Sequence, residues 1–69
     1  MFVSLRDIEN NKFIINTQHI SLIEKEVVKK SEYVNEEKYH VHILASLSEV
    51  YIKTIDAQFF DKLSGFLFK

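Results

Sequence analysis

The sequence predicts an α+β domain: a small antiparallel β-meander of about five strands with one C-terminal helix packed across one face. Three observations carry that expectation. Tyr39 to Leu47 alternates apolar and polar residues, the mark of a strand with one side in a core. Phe59, Phe60, Leu63, Phe66 and Leu67 recur at spacings of one, four, seven and eight behind Asp56, which describes the apolar stripe of a capped helix. The last third of the chain, Lys38 to Lys69, joins two strands and that helix with almost no slack.

The first strand is read over Phe2–Ile8. Val3 and Leu5 share one face, with Phe2, Ser4, Arg6 and Ile8 on the other, so one side is the more apolar. Glu9-Asn10-Asn11-Lys12 is the clearest turn, because Asn tolerates left-handed backbone angles better than other non-glycine residues. It closes a hairpin onto Phe13–Asn16. Asn16-Thr17-Gln18-His19 follows as a short polar connection with room for one helical turn.

Ile20–Val28 is the third strand, with Ile23, Lys25 and Val27 on one face and Leu22, Glu24, Glu26 and Val28 on the other. A row of glutamates suits an exposed surface. Lys29–Glu37 is the most charged stretch and reads as a solvated hairpin loop. In the fourth strand Tyr39, Val41, Ile43, Ala45 and Leu47 share the core side, against His40, His42, Leu44 and Ser46. A tight Leu47-Ser48-Glu49 connection leads to the fifth strand, Val50–Ile55, whose faces are Val50, Ile52 and Thr54 against Tyr51, Lys53 and Ile55.

Asp56 then caps the helix, its carboxylate accepting first-turn amides at the positive end of the dipole. Ile55 and Phe60 are spaced as a hydrophobic staple. Phe68 falls off the apolar stripe, so in a continuous helix it is exposed or meets another chain. Gly65 either continues the helix or ends it in a left-handed cap, which leaves Phe66-Leu67-Phe68 as a packed tail.

Composition bounds what such a chain can do. Sixty-nine residues make one domain, 1–69, near the lower limit for folding alone. A hydrophobic content of 46% excludes disorder. Without cysteine, neither a disulfide framework nor a Cys-zinc site supplements the core, and oligomerisation is the remaining stabiliser. Nine basic against ten acidic residues leave a net charge of −1, which supplies no field for gathering nucleic acid or anionic membrane. No apolar run approaches a membrane span, and charges stand where a signal peptide needs its apolar core. The expected setting is the cytoplasm.

Nothing in the sequence predicts an enzyme or a cofactor. None of Ser4, Ser21, Ser31, Ser46, Ser48 and Ser64 sits in a glycine-flanked elbow. A single glycine, Gly65, cannot build a phosphate cradle. Glu36 and Glu37 fall in the charged loop, where burial to raise a pKa is not expected. His40-x-His42 places two imidazoles on one face of a strand, a spacing that can grip a divalent ion. A third ligand from His19, Glu24 or Glu26 is needed, and the plainer reading is two polar positions on the solvent side. For single-stranded nucleic acid the candidates are Tyr33 and Tyr51, with Lys29, Lys30 and Lys53 as cations. Tyr39 shares a face with Val41 and Ile43 and is expected in the core. Interleaved Glu32, Glu36 and Glu37 cancel most of the local positive field.

Asn10-Asn11-Lys12-Phe13-Ile14-Ile15-Asn16, followed by Ile20 and the Ile23-Glu24 pair, resembles the opening of the FlbD-like family of very short bacterial proteins. Its pattern runs Asn-Gly-Lys, an aromatic, aliphatic-Asn, then Ile-x-x-Ile-Glu. The later order of strand, strand and helix is also similar, so the resemblance touches most of the chain as pattern. The departures are Asn11 where the family favours Gly, a longer charged insertion at Lys29–Glu37, and an extra aromatic C-terminus. The resemblance implies an architecture and brings no catalytic residue.

The expectation is therefore a small non-catalytic protein-binding module, a regulator or inhibitor of bacterial, phage or plasmid origin. It acts through the unprotected sheet edges and the helix surface. Phe68, Leu44, Val28 and Tyr33 are the candidate contact residues, and the partner is another protein or the chain's own copy as a homodimer.

Overall fold

The computed structural model describes residues 1–68. Its elements are β1 (Phe2–Arg6), β2 (Lys12–Asn16), a 3-10 turn (Thr17–His19), β3 (Ile20–Lys29), β4 (Asn35–Leu44), β5 (Val50–Asp56) and α1 (Ala57–Leu67). The fold is α+β with antiparallel pairing throughout, but the strands do not form one meander. β1 pairs with β2 in one sheet, and β3, β4 and β5 pair in order in another. The 3-10 turn makes the break. Asn16 caps it, its side-chain carbonyl accepting from Gln18 N–H, so the chain turns off β2 before β3 begins. The hairpin contributes its apolar side to the common core instead of extending the second sheet by an edge.

That core is a single cluster. Val3 and Leu5 of β1, Ile15 of β2, Tyr39, Val41 and Ile43 of β4, Ile55 of β5 and Leu63 of α1 are all buried. Each strand side chain is the one that period-two alternation places on the inner face. Leu63 is fully enclosed, and burying a leucine contributes about 1.5–3 kcal/mol. Phe59, Phe60 and Leu67 pack around the cluster. Phe60 stacks on Tyr39 with ring centroids 3.9 Å apart and planes 2° from parallel, which fixes the helix over β4. Asp56 caps α1, its carboxylate accepting from Phe59 N–H at 2.9 Å.

Several boundaries differ from the sequence expectation. β1 stops at Arg6 because the Asp7 carboxylate accepts from the backbone N–H of both Glu9 and Asn11, at 2.9 Å each. The turn thus starts before Ile8. Asn10 takes its left-handed residue, with φ 67°, as the Asn-Asn pair predicts. The expected loop Lys29–Glu37 is much shorter, since β3 runs to Lys29 and β4 begins at Asn35. Charges there alternate across two paired strands: Lys30 meets Glu36 at 2.8 Å and Lys25 meets Glu37 at 3.3 Å.

β4 ends at Leu44. Ala45 N–H bonds to Glu49 O and closes the turn there, so Ala45 and Leu47 lie in exposed chain and not in the core. Gly65 does not end the helix, which continues to Leu67 with Phe68 as its C-cap. Phe66 is exposed although its spacing matches the buried stripe. No helix among the described residues is long and apolar enough to cross a membrane.

Candidate contact surface

The three-stranded sheet has an inner face and an outer one. Register puts Leu22, Glu24, Glu26 and Val28 of β3 beside His42, His40, Lys38 and Glu36 of β4. Of the β4 residues, His42, His40, Lys38 and Leu44 stand beside Ile52, Thr54, Asp56 and Val50 of β5. Paired residues share a face, so these side chains form the outer surface. It divides in two along the strands. One end carries Leu22, Leu44, Val50 and Ile52, all exposed. The other carries ionic and polar groups.

The histidines lie at the boundary. His42 Nε2 meets Glu24 Oε1 at 2.5 Å, and His40 Nε2 meets Glu26 Oε1 at 2.9 Å. His40 Nδ1 is also 2.8 Å from the Thr54 hydroxyl. Each imidazole therefore has its own carboxylate, and β3 supplies both glutamates from the positions the sequence suggests. The geometry makes two separate pairs: among the described residues no three His, Cys, Asp or Glu side chains converge to hold an ion.

Edges follow from the hydrogen-bond phase. Ala45 N–H bonds to Glu49 O, and alternation along β4–β5 then turns the peptide groups of Val50, Ile52 and Thr54 away from β4. Thr54 confirms the phase, because its carbonyl accepts from Ile8 N–H at 3.0 Å on the far side. On β3 the Lys30–Val34 backbone bond likewise turns Ile23, Lys25 and Val27 outward. The free side of β1 is partly closed, since Lys62 Nζ donates to Ser4 O at 2.9 Å. A loop from Asp7 to Asn11 closes β5 beyond Ile52, leaving a cleft lined by Asp7, Ile8, Glu9, Asn11, Ile52, Lys53 and Thr54.

Candidate residues fall in different places. Phe68 is 77% exposed and rims an apolar depression with Ile23, Lys25, Tyr39 and Phe60. Leu44 is exposed on the outer sheet face, while Val28 is half-buried there. Tyr33 is 91% exposed in the short β3–β4 turn. Lys29 and Lys30 lie beside that turn, Lys30 already paired with Glu36. Tyr51 and Lys53 are remote from them. Lys29 pairs with Asn35 and Tyr51 with Ile43; those β4 positions are eight steps apart, roughly 26 Å along the strand. Lys53 is engaged on the inner face, 3.9 Å from Asp7 Oδ2 and 5.6 Å from the Phe13 ring centre. The tyrosines and lysines do not line one track.

Sequence reasoning missed Leu22, Val50 and Ile52 as members of the exposed patch. Their faces were readable from alternation. Which face the helix would cover was decided only by the burial of Ile55 and Val41.

Electrostatics around the core edge is local. The Tyr39 hydroxyl donates to Glu37 at 2.7 Å. That bond and Lys25 hold the Glu37 carboxyl below its ordinary value, and Glu37 raises the Tyr39 hydroxyl in turn. Lys30 lowers Glu36. These are surface pairs and contribute little to stability. Comparison with protein-family models, curated proteins and solved structures gives no match.

Proposed function

We propose that the protein is a small non-catalytic contact module, a regulator or inhibitor working in the cytoplasm, that joins another chain or its own copy through sheet edge and helix surface. The observation that carries this reading is the outer patch of Leu22, Leu44, Val50 and Ile52 lying directly beside an unpaired run of β5 backbone. Apolar side chains next to open peptide groups are what strand addition uses: the backbone supplies affinity and alternate side chains supply specificity. Phe68 at the helix terminus offers a second apolar contact, and Tyr33 a third at the β3–β4 tip.

Sedimentation velocity over a wide concentration range tests the reading, comparing the natural chain with Phe68→Asp. The natural chain is expected to associate, with the aspartate variant shifted toward monomer if the helix end takes part. A strict monomer in both that also fails to hold any other protein contradicts the reading.

A further inference from the structure

Resting on that contact reading, the structure assigns the partner of the β5 edge: a second copy of this chain. We propose that β5 pairs with β5 of another copy, antiparallel about a two-fold axis at Tyr51. The two three-stranded sheets then become one continuous sheet.

Register carries the inference. Val50 and Ile52 present their free N–H and C=O groups at this edge, as shown above. With Tyr51 on the axis, Val50 of each copy lies opposite Ile52 of the other and exchanges both backbone bonds with it. Tyr51 meets its own equivalent as the closer, non-hydrogen-bonded pair. One step further, Lys53 lies opposite Glu49 of the other copy, twice over. Lys53 is already 3.9 Å from Asp7, so at both ends each lysine is shared between a carboxylate of its own chain and one of the other copy. Ile8, bonded to Thr54, stops the pairing just beyond. An isologous contact of this kind closes on itself, and Ile8 at each end prevents register slips. On the outer face, Leu22, Leu44, Val50 and Ile52, all exposed in the single chain, run on into the same four residues of the second copy.

The other edges are less suited to pairing with themselves. β3 has the longest open edge, but its middle reads Glu24-Lys25-Glu26. Centring a two-fold on Lys25 sets lysine against lysine and Glu24 against Glu26, and centring on either glutamate sets it against itself. Like charges directly opposite are destabilising, a common protection for exposed edges. β1 has Lys62 on its Ser4 carbonyl. β2, centred on Ile14, opposes Lys12 with Asn16 and gains no ion pair.

Cysteine cross-linking tests the assignment, since the chain has no cysteine of its own. Three single variants are oxidised under mild conditions: Tyr51→Cys, Lys25→Cys for the β3 edge, and Ile14→Cys for β2. All three sites are exposed, and circular dichroism of each variant is the check that it is folded. A non-hydrogen-bonded antiparallel pair brings Cβ atoms within disulfide reach, so Tyr51→Cys is expected to run as a covalent dimer while the others stay single chains. In the uncross-linked protein, Glu49→Lys places lysine opposite Lys53 at both ends and is expected to weaken association roughly tenfold. Cross-linking through Lys25→Cys or Ile14→Cys in preference to Tyr51→Cys, or association unaffected by Glu49→Lys, overturns the β5 assignment while leaving the contact reading in place. A natural chain that stays monomeric at every concentration, with no cross-link in any variant, overturns the pairing itself, and the contact reading then rests on a different protein as partner.

Discussion

At the scale of single residues, two aspartates organise the chain ends of secondary structure, and only one was expected to. Asp56 caps α1 as its position predicts. Asp7 reaches two backbone amides of the β1–β2 turn, and those bonds, Asn11 first, hold its carboxyl below the ordinary range, with Lys53 adding to the effect. The sign follows from linkage. A carboxyl that titrates lower in the folded state than in the unfolded one stabilises the fold fully above the unfolded value. That contribution is lost as pH falls through the folded value. Melting temperature is therefore expected to drop on acidification below about pH 4, and Asp7→Ala is expected to be less stable at neutral pH with a shallower acid-side slope. Thermal melts at a series of pH values check both; parallel slopes in the two proteins would remove Asp7 from the account.

The elements show how far local pattern can be trusted. Alternation placed Val3, Leu5, Tyr39, Val41 and Ile43 on correct faces because the pleat leaves no third option. For β5 it separated Ile55 from Val50 and Ile52 without saying which side is covered, and the fold buries Ile55. Helical spacing selected Leu63, Phe60, Phe59 and Leu67 for the same reason, though Phe66 lies at the margin of the stripe and stays exposed. The charged segment Lys29–Glu37 differs from a loop because charge does not prevent pairing: the backbone ladder continues through Val28–Glu36 and Lys29–Asn35, with the charged side chains on its surface. A meander was expected where two sheets occur, since no residue between Asn16 and Ile20 states whether the next strand will pair or turn away. Gly65 lies inside α1 with ordinary backbone angles, and a methyl group there would meet nothing within 4 Å. Gly65→Ala is thus expected to stabilise the protein by about 0.5–1 kcal/mol, measured by chemical denaturation. A loss of stability would mean that α1 does not continue through this position.

For the whole molecule, the four strand edges are treated differently, and the differences define the surface. β1 is shielded by Lys62, and β2 is a short strand with Ile14 exposed between Lys12 and Asn16. β3 is guarded by alternating charge, and β5 is blocked at Thr54 but open at Val50 and Ile52. The sequence identified Leu44, Phe68 and Tyr33 as exposed apolar residues, but the patch around Leu44 needed the pairing of three strands to assemble. Leu22 and Val50 are 28 positions apart in the chain and share a surface only through β4. The histidine pairs illustrate the same point, because the glutamates that meet them are supplied by register across strands. A dilution series of amide NMR spectra tests the central claim, that this edge joins chains, most directly. The account predicts concentration-dependent shifts concentrated at Val50, Tyr51, Ile52 and Lys53, extending to Leu44 and Leu22. Spectra unchanged across the series, or shifts confined to the β3 edge, would contradict it.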